Sequence, residues 1–293
     1  MLIALLKSLR PTQWTKNGLL FVGYLFSIQH GHSLLDLLRV IAAFAIFCGV
    51  SGSIYLINDV VDREQDRLHP RKCKRPIASG ALPVPVAIIT SGLLMAGGIW
   101  AAFLLNAPFG ILTLGYIVLT LSYSAGLKRL VIIDVLALTG GFVIRAVAGA
   151  KVIDVPISSW LLLCATLLAL FLGLAKRRGE LASLDLNGAN HRKTLAEYTI
   201  PMLDQMLGVT ASSTLMAYCL YAFTSVSVVT GKPNPAMMVT VPFVVYGLFR
   251  YMFLIHAGSI TDSPELVLLK DKPMLLNMVL YVIAAFAALM LTR

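Results

Sequence analysis

The sequence predicts an all-α, polytopic membrane protein with about nine transmembrane helices. Three observations carry that prediction: the apolar bias of the composition, the lengths of the apolar runs, and the side on which the basic residues between them collect. Hydrophobic residues make up 58% of the 293 residues and charged ones only 13%, and the mean hydropathy is +0.83. A water-soluble chain is charged at about a quarter of its positions, so this composition excludes an ordinary soluble domain.

The apolar runs fall at approximately 18–31, 34–57, 84–106, 108–124, 131–149, 157–175, 202–229, 236–256 and 274–291. A hydrocarbon core about 30 Å thick needs about 20 helical residues; the first run is short by that measure. With the N-terminus on the cytoplasmic side, 18 of the 24 Lys and Arg fall in cytoplasmic segments, four lie opposite, and Arg145 and Arg250 lie inside runs. Such asymmetry orients a membrane protein. It also accounts for the net charge of +10 as topology, so no nucleic-acid partner is expected.

Taken in order, Met1–Leu6 is apolar but too short for a cleavable signal. Lys7, Arg10 and Lys16 follow where a small-residue cleavage site would stand, so the first run is expected to serve as its own insertion signal. In LRPTQWTKN, Leu9–Asn17, the residues Arg10, Gln13, Trp14, Lys16 and Asn17 suit an interfacial helix with Trp14 at headgroup depth. A plain basic anchor is the alternative. His30 and His32 lie on the opposite face without a nearby carboxylate, and read as two exposed histidines more readily than as a metal site. Of four cysteines, Cys48, Cys164 and Cys219 lie in apolar runs and Cys73 in a basic connector, with no C-x-x-C spacing. Neither a disulfide framework nor a zinc site is indicated.

The stretch that follows the second run, INDVVDREQDRLHPRKCKRPIASG from Ile57 to Gly80, is the richest in chemistry. Asn58, Asp59, Asp62 and Asp66 come within nine residues, followed by Arg63, Arg67, Arg71, Lys72, Lys74 and Arg75. If the preceding helix continues through Asp66, the three carboxylates fall within roughly 60° of one face. Like charges about 4 Å apart repel by about 4 kcal/mol at an effective dielectric near 20, and the like-charged i, i+4 pairs Asp62 with Asp66 and Arg63 with Arg67 weaken the helix further. A divalent cation relieves this; magnesium takes one or two carboxylates and completes its shell with water and phosphate oxygens. Asp59, Asp62 and Asp66 are therefore the expected metal ligands and catalytic residues. The plainer reading is a solvated loop of mixed sign.

Further on, YSAGLKR carries Tyr123, Lys128 and Arg129 and leads to Asp134. Asp134 and Arg145 are eleven residues apart, on one face and about 16 Å apart along a helix. An ionisable group in a span is a functional candidate. Asp134 reads equally as a structural counter-ion to Lys128 or Arg129, and Arg145 as a residue that snorkels to the outer interface. The second large connector, Ala175–Thr199, supplies Lys176, Arg177, Arg178, Glu180, Asp185, Arg192 and Lys193. Both large connectors follow even-numbered runs, four runs apart, which hints at a duplicated four-helix unit. The last cytoplasmic connector, TDSPELVLLKDKP, is weakly amphipathic and suits a lid or an ordinary link.

Asn58, Asp59, Asp62 and Asp66 match the N-D-x-x-D-x-x-x-D signature of the UbiA-type membrane prenyltransferase superfamily, and KRPIASG, Lys74–Gly80, is similar to its next segment. The resemblance covers essentially the whole chain and implies a UbiA-like bundle with cytoplasmic polar loops, acting as one catalytic domain over residues 1–293. Ordinary members carry a second D-x-x-x-D motif after span six; here Asp185 stands alone in a basic segment. RPTQWTKN, K-R-R-x-E-L, R-K-T-L-A-E-Y-T and SPELVLLKDKP look like the decaprenyl-phosphate phosphoribosyltransferase branch. That resemblance implies magnesium-dependent transfer of 5-phosphoribose from phosphoribosyl pyrophosphate to a polyprenyl phosphate at the start of arabinose donor synthesis, in a bacterial inner membrane, with N-terminus and active site cytoplasmic and homo-oligomers possible. The alternative within the superfamily is prenyl transfer from a prenyl diphosphate to an aromatic or other acceptor.

Three anionic groups must then be held, one by metal and the others by Arg and Lys. The resemblance assigns Asp59, Asp62 and Asp66 to magnesium on the pyrophosphate, with Asn58 orienting it. Lys74, Arg75, Lys128 and Arg129 are expected around the leaving group, and Lys176, Arg177, Arg178, Arg192 and Lys193 at the 5-phosphate. Lys16 is expected at the acceptor phosphate, with Asn17, Tyr123 and Asp134 as further substrate-binding candidates.

Overall fold

The computed structural model describes residues 1–27, 31–70, 72–185, 195, 197–224, 235–257 and 271–290. Among them the chain is helical, with no strand. The helices are α1 (Leu2–Ser8), α2 (Phe21–Phe26), α3 (Leu34–Val61), α4 (Arg63–Leu68), α5 (Val84–Leu105), α6 (Ala107–Ala125), α7 (Ile133–Val152), α8 (Ser159–Asp185), α9 (Ile200–Thr224), α10 (Val241–His256) and α11 (Lys272–Met290). Seven helical segments among the described residues are long and apolar enough to cross a membrane. They correspond to seven of the nine expected spans; the expected last span forms α11.

The expected first span is divided. Pro11–Leu20 is a 3-10 segment that runs into the six-residue α2. Thr12, Thr15, Asn17 and Gly18 are poor α-formers, and Pro11 fixes the first turn. By contrast α3 is continuous for 28 residues because Ser33 and Asp36 cap each other reciprocally at its start, satisfying otherwise orphaned amides. At 1.5 Å per residue α3 is about 42 Å long, well over the hydrocarbon thickness. It can therefore carry its last turn, with Asp59, past the apolar layer.

The chain divides into two compact units: Met1–Ile28, His32–Gly126 and Ile144–Pro156 in the first, and Gln29–Gly31, Leu127–Val143 and Ile157–Arg293 in the second. In the first unit α3 packs on α5 and α5 on α6. Phe47 meets the rings of Phe109 and Tyr116 at 5.7 and 5.3 Å. The end of α7 lies so close to the N-terminal segment that a Cβ on Gly149 would overlap the Leu20 carbonyl, and one on Gly23 would stand 2.7 Å from the Ala150 Cα. In the second unit α8 packs along α9, around a core of Val135, Phe171, Leu174, Leu203, Leu207 and Tyr251. Leu93, Trp100 and Leu104 on α5 stay about two-thirds exposed, a surface suited to lipid.

Candidate active site

The acidic cluster is built by a break in the helix. α3 ends at Val61, Asp62 adopts φ −85° and ψ 4°, and α4 begins at Arg63. The expected unbroken helix through Asp66 is thus corrected. The hydrogen bonds from Asp62 N to Asn58 O (2.9 Å) and Asp66 N to Asp62 O (2.8 Å) continue across the joint. Repulsion along a single acidic face gives a physical reason for the interruption. Asp59 and Asp66 are buried, 2% and 3% exposed; Asp62 and Asn58 are half-buried.

Two arginines hold the buried pair. Arg75 Nη1 donates to Asp59 Oδ1 at 3.1 Å and to Asp66 Oδ2 at 2.6 Å, and Arg10 Nη2 donates to Asp59 Oδ1 at 2.5 Å. The Arg75 loop is shaped by Ser79 N to Arg75 O (2.9 Å) and Leu82 N to Pro76 O (2.9 Å). It is tied to α4 by Arg67 Nε to Ala78 O (3.1 Å). Beneath it Leu56, Ile77, Leu82 and Ala87 form an apolar floor, with Leu5 and Leu9 packed against them. Arg10 sits at the junction of α1 and the 3-10 segment with φ 52°, its guanidinium 4.8 Å from the centre of the Tyr55 ring. A left-handed arginine stores strain that surrounding contacts must hold. Sequence reasoning placed Arg10 in an anchor and missed it as a site residue. The available signal was the need of a buried acid pair for cations on its own side of the membrane.

Whether these residues suit magnesium is answered by Arg75. One guanidinium nitrogen already bridges two carboxylate oxygens, so Asp59 and Asp66 converge on a cation and present the hard oxygen donors that magnesium takes. Among the described residues no group of three His, Cys, Asp or Glu stands close enough to hold a metal. Lys74 is exposed beside Arg75, and Lys16 and Tyr123 are half-buried.

Other candidates lie deeper than the sequence implied. Asn17 is fully buried; its Nδ2 donates to Cys48 Sγ and Ser51 Oγ, both at 3.3 Å. Arg145 donates to Asn17 Oδ1 and to the Tyr116 hydroxyl, both at 2.8 Å. It turns inward, and the snorkelling account is corrected: a polar network inside the bundle satisfies the guanidinium. Trp14 is half-buried and closes its own turn through Nε1 to Leu9 O at 3.2 Å. His32 is packed as well, stacked on Tyr24 at 4.6 Å and bonded to the Ser27 hydroxyl at 2.7 Å. Its Nδ1 also stands 3.9 Å from Asp36 Oδ2, so the reading as an exposed histidine without a nearby carboxylate is corrected.

In the second unit Lys128 is half-buried and Arg129 exposed, both in a short 3-10 turn. Lys176 is half-buried. Arg177 is buried against Asp134 (Nε to Oδ2, 2.6 Å) and bonded to Glu180. Arg178 donates to Asp204 Oδ1 at 2.5 Å and to Ile255 O at 3.2 Å, and His256 Nε2 stands 3.5 Å from the same carboxylate. The partner of Asp134 is thus Arg177, corrected from Lys128 or Arg129. The Tyr198 hydroxyl donates to Asp134 Oδ1 at 2.9 Å and accepts from Ile132 N at 2.6 Å. Burial pushes the Tyr198 phenol up to about 12, opposed by the Ile132 amide and reinforced by Asp134. Tyr198 and Asp204 were not singled out in the sequence. Arg192 and Lys193 lie outside the described residues, as do Arg71, His30 and most of TDSPELVLLKDKP.

An apolar helical bundle with a buried aspartate pair at the end of α3, held by two arginines, defines a polytopic membrane protein with a concentrated charged cluster in its first unit. The UbiA prenyltransferase family matches residues 19–279, and the chain belongs to that family. A decaprenyl-phosphate phosphoribosyltransferase of Mycolicibacterium smegmatis is 35% identical over 277 residues, covering 92% of this chain and 86% of the relative. One of Mycobacterium tuberculosis is 31% identical over 270 residues, covering 91% and 87%. A UbiA homologue from Archaeoglobus fulgidus, solved with GPP and Mg2+, superposes with a TM-score of 0.72 at 19% identity, covering 98% of this chain and 99% of that one; the likeness establishes the fold. The protein is a multi-pass membrane transferase.

Proposed function

We propose that this enzyme transfers 5-phosphoribose from phosphoribosyl pyrophosphate to a polyprenyl phosphate of decaprenyl type, releasing pyrophosphate. The observation that carries the reading is the pairing of an intact first acidic motif, Asp59 and Asp66 convergent on one cation, with a second connector in which K-R-R-x-E-L and a single Asp185 replace an aspartate pair. Relatives of nearly full length carry the name of this activity. The whole chain is read as one catalytic domain of the bacterial inner membrane, its N-terminus and site cytoplasmic, on the support of the Lys and Arg distribution.

Asp59, Asp62 and Asp66 would hold magnesium. When bound, the ion neutralises charge developing on the pyrophosphate. Asn58 orients the diphosphate, and Arg10 and Arg75 are the guanidinium groups free to exchange a carboxylate for a phosphate oxygen. Lys74, Lys128 and Arg129 keep their expected place around the leaving group. Of the basic residues expected at the 5-phosphate, Lys176, Arg192 and Lys193 are assigned to it and Lys16 to the acceptor, while Arg177 and Arg178 are committed to Asp134, Glu180 and Asp204. No strong general base is required, because the attacking phosphate oxygen is already anionic; positioning and charge stabilisation supply the rate.

The test is purified protein in detergent with magnesium, polyprenyl phosphate and phosphoribosyl pyrophosphate labelled in the ribose, followed by lipid extraction. Label is expected in the organic phase only with both magnesium and acceptor. Failure of transfer, alongside activity with a prenyl diphosphate and an aromatic acceptor, would replace this reading by prenyl transfer.

A further inference from the structure

The start of α7 contains a backbone feature that no local residue type demands. Ile132 has φ +68°, and Ile133 N bonds Val131 O at 2.8 Å, closing a three-residue γ-turn with positive φ at its centre. That turn is rare and strained for any L-residue and more so for a β-branched one. Such strain costs about 1–3 kcal/mol and persists only where neighbours over-determine it.

The neighbour here is Tyr198, at the far end of the second large connector. Its hydroxyl spends both capacities on this place: it accepts the Ile132 amide at 2.6 Å and donates to Asp134 Oδ1 at 2.9 Å. Asp134 Oδ2 is in turn ion-paired with Arg177, Nε standing at 2.6 Å. Tyr198, Asp134 and Arg177 are 3%, 1% and 2% exposed, and the Tyr198 ring is set in the apolar core with Val135, Phe171, Leu174 and Leu203. Immediately before the strained turn stands the 3-10 turn Leu127–Arg129, which presents Lys128 and Arg129. The phenol keeps its proton through the physiological range, since its pKa is pushed up to about 12.

We propose that Tyr198 is a positioning residue: by fastening the strained Ile132 turn to Asp134 and Arg177, its hydroxyl sets where Lys128 and Arg129 stand to receive a phosphate of the donor. The assignment of those two cations to a donor phosphate rests on the phosphoribosyl transfer proposed above. The fastening itself does not.

Tyr198→Phe removes one oxygen and leaves the ring in its core. Hydrogen–deuterium exchange of the detergent-solubilised protein is expected to show the Ile132 amide, in peptides spanning 127–134, exchanging about tenfold faster, as loss of one buried hydrogen bond implies. Peptides spanning 58–80 should be unchanged. Asp134→Asn keeps an oxygen that can accept from the hydroxyl, so its Ile132 amide should stay protected. In the transfer assay Tyr198→Phe should raise KM for phosphoribosyl pyrophosphate about fivefold or more, with kcat and the acceptor KM within about twofold, the signature of lost positioning of one substrate. Wild-type protection at Ile132 in Tyr198→Phe overturns the fastening. A loosened amide with unchanged donor KM, or both KM values rising together, overturns the positioning role. A wild-type enzyme inert towards phosphoribosyl pyrophosphate overturns the functional reading and the positioning role with it, and is distinguished because the exchange result still stands.

Discussion

Two charged clusters, one in each unit, are built differently. In the first, the buried members are anions: Asp59 and Asp66 are 2% and 4% exposed at their side chains, and the cations that hold them, Arg10 and Arg75, are 29% and 28% exposed. In the second, cation and anion are buried together: Arg177 and Asp134 are each 2% exposed, with the outer acid Glu180 at 29%. Beside them Arg178, 12% exposed, pairs with Asp204 at 30%. A half-exposed arginine can leave a carboxylate for a phosphate without crossing a large desolvation barrier. A fully buried one cannot, because breaking a buried pair costs about 3–5 kcal/mol. The first cluster is therefore suited to exchange of partners and the second to holding shape.

Four measurements bear on that contrast. Asp59→Ala should reduce ribose-label transfer the most, about a thousandfold, since it removes the proposed metal ligand and a counter-ion together; a variant with near wild-type turnover would end the exchange reading. Arg177→Ala should act on folding: a loss of about 3–5 kcal/mol from the orphaned Asp134, seen as a lower unfolding temperature in detergent. If it lowers turnover without lowering that temperature, Arg177 binds substrate and the contrast fails.

Arg75→Ala should sharpen the comparison through the metal. With the bridging guanidinium gone, Asp59 and Asp66 repel, and magnesium affinity measured by titration calorimetry should rise about tenfold. Unchanged or weaker affinity would show that Arg75 does not compete for the cation position. The smallest effect concerns the Arg250–Asp271 pair. A hydrogen bond from Arg250 holds the Asp271 carboxyl below the usual carboxylate range. A depressed carboxyl contributes stability that is present above its unfolded value and lost as pH falls through its folded value. Asp271→Asn should thus lower the unfolding temperature at neutral pH and flatten its decline below about pH 4; parallel curves for the two proteins would exclude this role.

Long apolar runs made most helices legible, because a membrane demands length and little else of them. The acidic motif was legible for the same reason in reverse, being polar where the chain otherwise is not. The joint at Asp62 was not, since repulsion among three carboxylates can be relieved by a metal or by a break in the helix, and spacing does not choose. Nor were the partners: Arg10 and Asp59 are 49 positions apart, Asn17 and Arg145 are 128 apart, and no local pattern encodes such pairings. Arg145 was read by its distance from a span end, whereas packing turned it inward onto Asn17 and Tyr116.

Asp59, Asp66, Arg10 and Arg75 together carry no net charge. A neutral foursome has a field that fades faster with distance than that of an isolated ion and is screened within about 8–10 Å at physiological salt. Taken by itself it exerts little pull on stray phosphate. Under the proposed transfer, a diphosphate arriving with its magnesium would trade cation for cation and anion for anion, whereas a bare diphosphate would leave the place over-supplied with negative charge. On that reading the ion pairs would work as an admission rule based on electroneutrality.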